Sequence, residues 1–183
     1  MMSRAAAALF ADCAHRAIEE HGRFIVALSG GGTPMRTFQV LAEAPFRESV
    51  NWPRLEVFWS DERCVGPKDR RSNARNARRD LLDRVAILPD RIHRIECADS
   101  PARAAVDYEE RIRGTFGAGA PRFDLIFLGL GWDGHTASIF PGSEIVYDTI
   151  RWVREVETTG SEPDRVSFTP FLINQAAVVV FLV

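Results

Sequence analysis

Asp133 and His135 flank one glycine inside a segment that also holds Gly129, Gly131 and Gly134. A histidine that titrates near neutrality can take a proton from water, and an adjacent carboxylate can orient its ring and stabilise its charged form. This pair therefore reads as a general base with its support. The glycine spacing also matches the form of a dinucleotide fingerprint. However, Pro141 and Gly142 follow too soon after Gly134 for the three-turn helix that such a site needs.

Two other stretches could handle anions. Ser29-Gly30-Gly31-Gly32-Thr33-Pro34 places three consecutive glycines where backbone N–H groups can approach a phosphate and a following helix can add its positive end. The Gly-Lys-Ser/Thr ending of a nucleotide loop is missing, so the alternative to a phosphate cradle is a bare tight turn. Asp61-Glu62-Arg63 offers carboxylates for sugar hydroxyls and a guanidinium for bidentate phosphate contact; alone it could equally be a surface ion pair. His15 and His21 fall on a helix surface and His93 reads as structural.

The elements that position these groups alternate. Ala6, Leu9, Phe10, Cys13, Ala17 and Ile18 share one face of a first helix that Gly22 can cap. Apolar runs at 24–28, 55–59 and 123–128 read as buried strands. Helices are expected at about 34–42, from Ser72-Asn73 to about Arg84, and at 102–115, with further strands at 151–156, 165–168 and 177–183. Strand, loop and helix in alternation predict a Rossmann-like α/β fold: an open, mostly parallel sheet with helices on both faces. Ligands of such sheets bind beyond the carboxyl ends of the strands, where all three motifs lie.

The 183 residues, 46% apolar and 26% charged, suffice for one core, and one domain over 1–183 is expected. A net charge of −2 gives no general attraction to nucleic acid or anionic lipid, so a small-molecule partner is expected. Eight basic residues between Arg63 and Arg84 read mainly as a solvated helix face. Cys13, Cys64 and Cys97 are odd in number and far apart, which predicts reduced thiols and a cytoplasmic location. No run is long enough to span a membrane.

Taken in order, Leu28-Ser-Gly-Gly-Gly-Thr-Pro34, Asp61-Glu-Arg-Cys-Val65, Ser72-Asn73, Leu128-Gly-Leu-Gly-Trp-Asp-Gly-His-Thr-Ala-Ser-Ile-Phe-Pro141 and Arg165-Val-Ser-Phe-Thr-Pro170 resemble the motif set of the 6-phosphogluconolactonase family over nearly the whole chain. The resemblance implies hydrolysis of 6-phospho-D-glucono-1,5-lactone to 6-phosphogluconate in the pentose phosphate pathway, with no cofactor and no required metal. It assigns His135 as the base, supported by Asp133. It gives phosphate binding to Ser29, Gly30, Gly31, Gly32, Thr33 and Arg63, and it lines the site with Asp61, Asn73, Gly131 and Arg165. Either Asp61 or Asp133 could orient His135.

Related glucosamine-6-phosphate deaminases share the Asp-Gly-His core but place a glutamate where this chain has Phe140, and a phenyl ring transfers no proton. The resemblance also leads one to expect a Gly-x-x-Lys stretch and a closing strand and helix after Val183, so the domain is expected to be truncated at its C-terminus. Lys68 is the single lysine of the sequence. A catalytically weak sugar-phosphate-binding module is the alternative that this raises.

Overall fold

The computed structural model describes residues 1–97 and 100–183. Helix α1 (Met2–His21) turns Phe10 and five alanines inward and stops at Gly22, whose φ of 83° is the left-handed conformation that glycine adopts without strain. Strand β1 (Phe24–Leu28) leads to helix α2 (Gly32–Leu41), a single turn α3 (Phe46–Ser49) and strand β2 (Leu55–Trp59). Strand β3 (Asp61–Arg63), helix α4 (Asn73–Asp80), helix α5 (Pro101–Phe116) and strand β4 (Leu125–Gly129) come next. Strands β5 (Val153–Val156) and β6 (Arg165–Phe168), the short helix α6 (Pro170–Ile173) and strand β7 (Val179–Leu182) complete the order.

Four strands, in the order β2-β1-β4-β7, form a parallel sheet. Every residue of β1 and β2 is buried, as expected of strands covered on both faces; β1 is apolar throughout, and the one charge in β2, Glu56, is held by Arg91 and His93. Phe10 of α1 packs edge-on against Phe24, with ring centroids 5.2 Å apart, and stacks on Phe127. On the opposite face Phe58 meets Tyr108 of α5. The Tyr108 hydroxyl also accepts from the Trp59 N–H at 2.8 Å, which ties α5 to the end of β2. Helices thus cover both faces of the parallel sheet, as the alternation predicts.

The remaining three strands depart from that expectation. β3, β6 and β5 form a separate antiparallel sheet, in which Asp61 pairs with Ser167 and Arg63 with Arg165. The segment 61–63 read as the loop after a strand; it is itself a strand, separated from β2 only by Ser60. The Ser60 N–H donates to Leu28 O and its carbonyl accepts from Phe168 N, so this residue joins the two sheets. Three polar residues carry no apolar alternation, which is why the sequence pattern concealed them.

Other corrections are local. Helix α4 ends at Asp80, where Leu81 leaves helical geometry at φ −139°, and a separate 3-10 turn covers Leu82–Arg84. The expectation of three reduced thiols fails for two of them: Cys64 and Cys97 form a disulfide with Cα atoms 4.9 Å apart, and Cys13 is free and buried. Their separation of 33 residues hides a proximity that only the tertiary fold creates. His15 and His21 are exposed, whereas His93 stacks on Phe58 and lies 2.6 Å from the buried Glu56 carboxylate.

Candidate active site

The carboxyl ends of β1 and β4 open into a cleft of about 200 Å³ that the small sheet closes from one side. Its wall contains Ser29, Gly30, Gly31, Gly32, Thr33, Asp61, Arg63, Asn73, Gly131, His135 and Arg165. Asp133, the remaining residue singled out from sequence, stands behind His135 and not on the wall. The structure therefore brings all twelve positions to one place, although the first and last stand 136 positions apart in sequence.

The half that carries His135 is built on loop 129–141. Asp133 Oδ1 lies 2.5 Å from His135 Nδ1 and also accepts the His135 backbone N–H at 3.2 Å. A carboxylate can only accept, so in the neutral ring Nδ1 carries the proton and Nε2 is the basic nitrogen. The hydrogen bond from His135 holds the Asp133 carboxyl below the usual carboxylate range. Asp133, not Asp61, is the orienting carboxylate in this geometry. Gly131 makes the pair possible, because a Cβ there would stand 2.7 Å from Asp133 Oδ1 and closer still to His135 Nδ1. The loop is pinned by Thr136 Oγ1, which donates to Gly129 O at 2.8 Å. Phe140 packs against His135 with ring centroids 4.8 Å apart.

The anion half combines backbone and arginines. Helix α2 begins with no side-chain cap, and Gly31 precedes it at φ 103°, a conformation open to glycine. The first-turn N–H groups of α2 therefore face the cleft side of a helix whose dipole favours an anion. Gly30 is required for a different reason: a Cβ there would overlap the Asn73 side chain. Arg63 and Arg165 are neighbours across the antiparallel β3–β6 pair. Arg165 is 9% exposed, and burial, reinforced by the like charge of Arg63, pushes its pKa down. The Nε atoms of both arginines and Ser29 Oγ are buried without hydrogen-bond partners. Buried donors left unsatisfied cost about 1–3 kcal/mol each, so a cleft holding three such groups is prepared for a ligand that accepts.

Two further residues position this wall: Ser138 escaped the sequence reading, and Glu62, read there as a carboxylate for sugar hydroxyls, serves the chain's own donors instead. Glu62 is buried and its carboxylate accepts from the N–H groups of Arg63, Asn73 and Ala74, each at 2.8 Å, and from Ser72 Oγ at 3.0 Å. Burial pushes its pKa up against these four bonds. It caps α4 from ten residues away, a distance that no local capping pattern reveals. Ser138 is fully buried; its hydroxyl donates to Asp61 Oδ2 at 2.8 Å and its N–H to Ser167 Oγ at 3.1 Å. Its only signal was its place within the Asp-Gly-His-Thr-Ala-Ser stretch.

Comparison with known proteins converges on one family. The family described as glucosamine-6-phosphate isomerases/6-phosphogluconolactonase matches residues 1–183. A 6-phosphogluconolactonase of Treponema pallidum (strain Nichols) is 42% identical over 153 residues, covering 82% of this chain and 63% of the relative's own length. One from Nostoc sp. is 37% identical over 171 residues, with 91% and 69% covered. Among solved structures, 6-phosphogluconolactonase from Trypanosoma cruzi superposes with a TM-score of 0.86 at 30% identity, over 98% of this chain and 75% of the other. The enzyme of that name from Thermotoga maritima gives 0.85 at 30% identity, over 98% and 78%. This chain thus spans less than two thirds of the Treponema relative.

Proposed function

The chain belongs to the glucosamine-6-phosphate isomerase/6-phosphogluconolactonase family, and from that premise we propose that it hydrolyses 6-phospho-D-glucono-1,5-lactone to 6-phosphogluconate, a step of the pentose phosphate pathway. One observation carries the reading: a carboxylate-oriented histidine shares a cleft with two adjacent arginines and an uncapped helix start. A base and an anion clamp at that spacing suit a small substrate with an ester at one end and a phosphate at the other.

In the proposed reaction His135 Nε2 takes a proton from water as the water oxygen attacks the lactone carbonyl carbon. The tetrahedral intermediate then expels the ring oxygen, which receives the proton from His135 and becomes a hydroxyl. Asp133 keeps Nε2 as the acceptor and stabilises the transient imidazolium. Arg63, Arg165 and the 29–33 loop would hold the phosphate, with Asp61 and Asn73 beside the sugar. Phe140 has no proton to offer a sugar that must be opened and isomerised, which favours lactone hydrolysis over deamination.

Among the described residues no helix is long and apolar enough to cross a membrane. The partner we propose is a phosphorylated sugar lactone and not a nucleic acid, because a net charge of −2 supplies no attraction to a polyanion. The compartment we propose is the cytoplasm, where a charged phosphorylated sugar is made and retained; the Cys64–Cys97 disulfide removes the thiol argument for it. The test is turnover of the lactone above its spontaneous rate, followed with pH-stat titration. His135→Ala should cut kcat by about 10²–10⁴ with little change in Tm. Full activity in that variant would sink the mechanism.

A further inference from the structure

Asp61 is a buried carboxylate that shares the cleft wall with two arginines, yet among the described residues it forms no ion pair with either. Its acceptors are taken by neutral donors: Ser138 Oγ reaches Oδ2 at 2.8 Å and Asn73 Nδ2 reaches Oδ1 at 3.2 Å. Asn73 Nδ2 also donates to the Asp61 carbonyl at 2.9 Å. Charge attraction alone would draw the carboxylate onto a guanidinium, because an ion pair removed from water is strong. Instead, Arg165 Nη2 reaches only the exposed Glu162 carboxylate, at 3.6 Å, Arg63 Nη1 donates to Arg71 O, and among the described residues the Nε atoms of both arginines have no partner.

The backbone shows that Ser138 is held in place at a cost. Ala137, just before it, has φ 49°, a left-handed conformation that strains a non-glycine residue and persists only where surrounding contacts fix it. Those contacts are the turn closed by the Ile139 N–H on Thr136 O at 2.8 Å and the two hydrogen bonds of Ser138, one to Asp61 and one to Ser167, whose hydroxyl is anchored on Phe168 O at 2.9 Å. The serine thus joins the loop that carries His135 to both strands that carry the arginines.

We propose that Ser138 is a positioning residue which restrains the Asp61 carboxylate from pairing with Arg63 and Arg165, so that no buried carboxylate competes with the anionic end of the substrate for the two guanidiniums. Without the hydroxyl, Asp61 Oδ2 loses its donor and turns to the nearest cation, and the ligand must then compete with an internal carboxylate. The inference rests on reading the cleft as a phosphosugar site.

The test is calorimetric binding of 6-phosphogluconate to the full chain, with melting curves for every variant. Ser138→Ala should weaken binding about tenfold, while the same change made on an Asp61→Asn background should cost less than twofold, because an amide does not pair with arginine. A Ser138→Ala loss that is equal in both backgrounds means the serine serves only packing and overturns the proposal, as does wild-type affinity in Ser138→Ala. If Ser138→Ala fails to fold, Ser138→Cys keeps the bulk, weakens the donor, and should show a smaller loss with the same cancellation by Asp61→Asn. A wild-type chain that binds no 6-phosphogluconate would instead overturn the phosphosugar reading itself.

Discussion

The two sheets contribute to the cleft in different ways. The parallel sheet supplies loops beyond its strand ends: the glycine run 29–33 after β1 and the His135 loop after β4. What those loops present is backbone N–H groups and one exchangeable histidine, shaped by glycines. The antiparallel sheet supplies side chains from the strands themselves, Asp61 and Arg63 on β3 and Arg165 on β6, in a fixed register. The charged side chains of the cleft are held by strand pairing, while the histidine proposed as the base sits on a loop with about a quarter of its side chain exposed. Changes on the loop side should therefore act on kcat, and changes on the strand side on binding.

The largest effect short of removing the base is expected from Gly131→Ala. The added Cβ would meet the His135 ring and Asp133 Oδ1, and a side chain hydrogen-bonded to its own support cannot move aside without breaking the pair. Misplacement of a catalytic group by about 1 Å can cost about 10²-fold. A fall of about that size in kcat, with KM nearly unchanged, is the expected outcome of steady-state kinetics. If KM rose while kcat held, the division of labour between the two sheets would be wrong.

Arg165→Met probes the other side. Losing a charged hydrogen-bond partner of the ligand costs about 1.5–3 kcal/mol, which corresponds to a rise of roughly 10–150-fold in KM. Stability should move the opposite way. Burial and Arg63 together push the Arg165 pKa down, so folding disfavours its charged form at every pH below that depressed value. The methionine variant should melt at a higher temperature than the wild type, and a lower Tm would show that Arg165 is held by contacts and not tolerated for function.

The same contrast decides what the sequence disclosed. The runs 24–28 and 55–59 were legible because strands covered on both faces are largely apolar, Glu56 being the one exception. The Asp133–His135 pair was legible because its partners stand two residues apart. The antiparallel sheet was only half visible: β5 and β6 lie within the strands expected at 151–156 and 165–168, but Asp61–Arg63 is polar and forms its pairs more than 100 residues away. Glu62 capping α4, Ser138 reaching Asp61 and the Cys64–Cys97 bridge share that origin. Each is a contact between segments with no local periodicity to announce it, so spacing alone could neither find these partners nor exclude them.

The smallest effect concerns the support behind Arg63. Arg63 Nη1 donates to Arg71 O at 2.7 Å, and Arg71 is held in turn by Asp69, whose Oδ1 accepts from the Arg71 N–H at 2.8 Å and whose Oδ2 accepts from Nη2 at 2.8 Å. These bonds, the side-chain ones first, lower the Asp69 pKa to about 2. An unfolded aspartate titrates near 4, so whatever stability this carboxylate gives is complete above about pH 4 and disappears as pH falls through about 2. Asp69→Asn should melt slightly below the wild type at neutral pH, with a gap that stays constant down to about pH 4 and closes toward pH 2. KM should rise by no more than about threefold, because the pair is exposed to solvent and only steadies a carbonyl. A gap that stayed the same at every pH would show that the loop is held by the shape of Asp69 and not by its charge, and the strand side of the cleft would then owe nothing to its outer ion pairs.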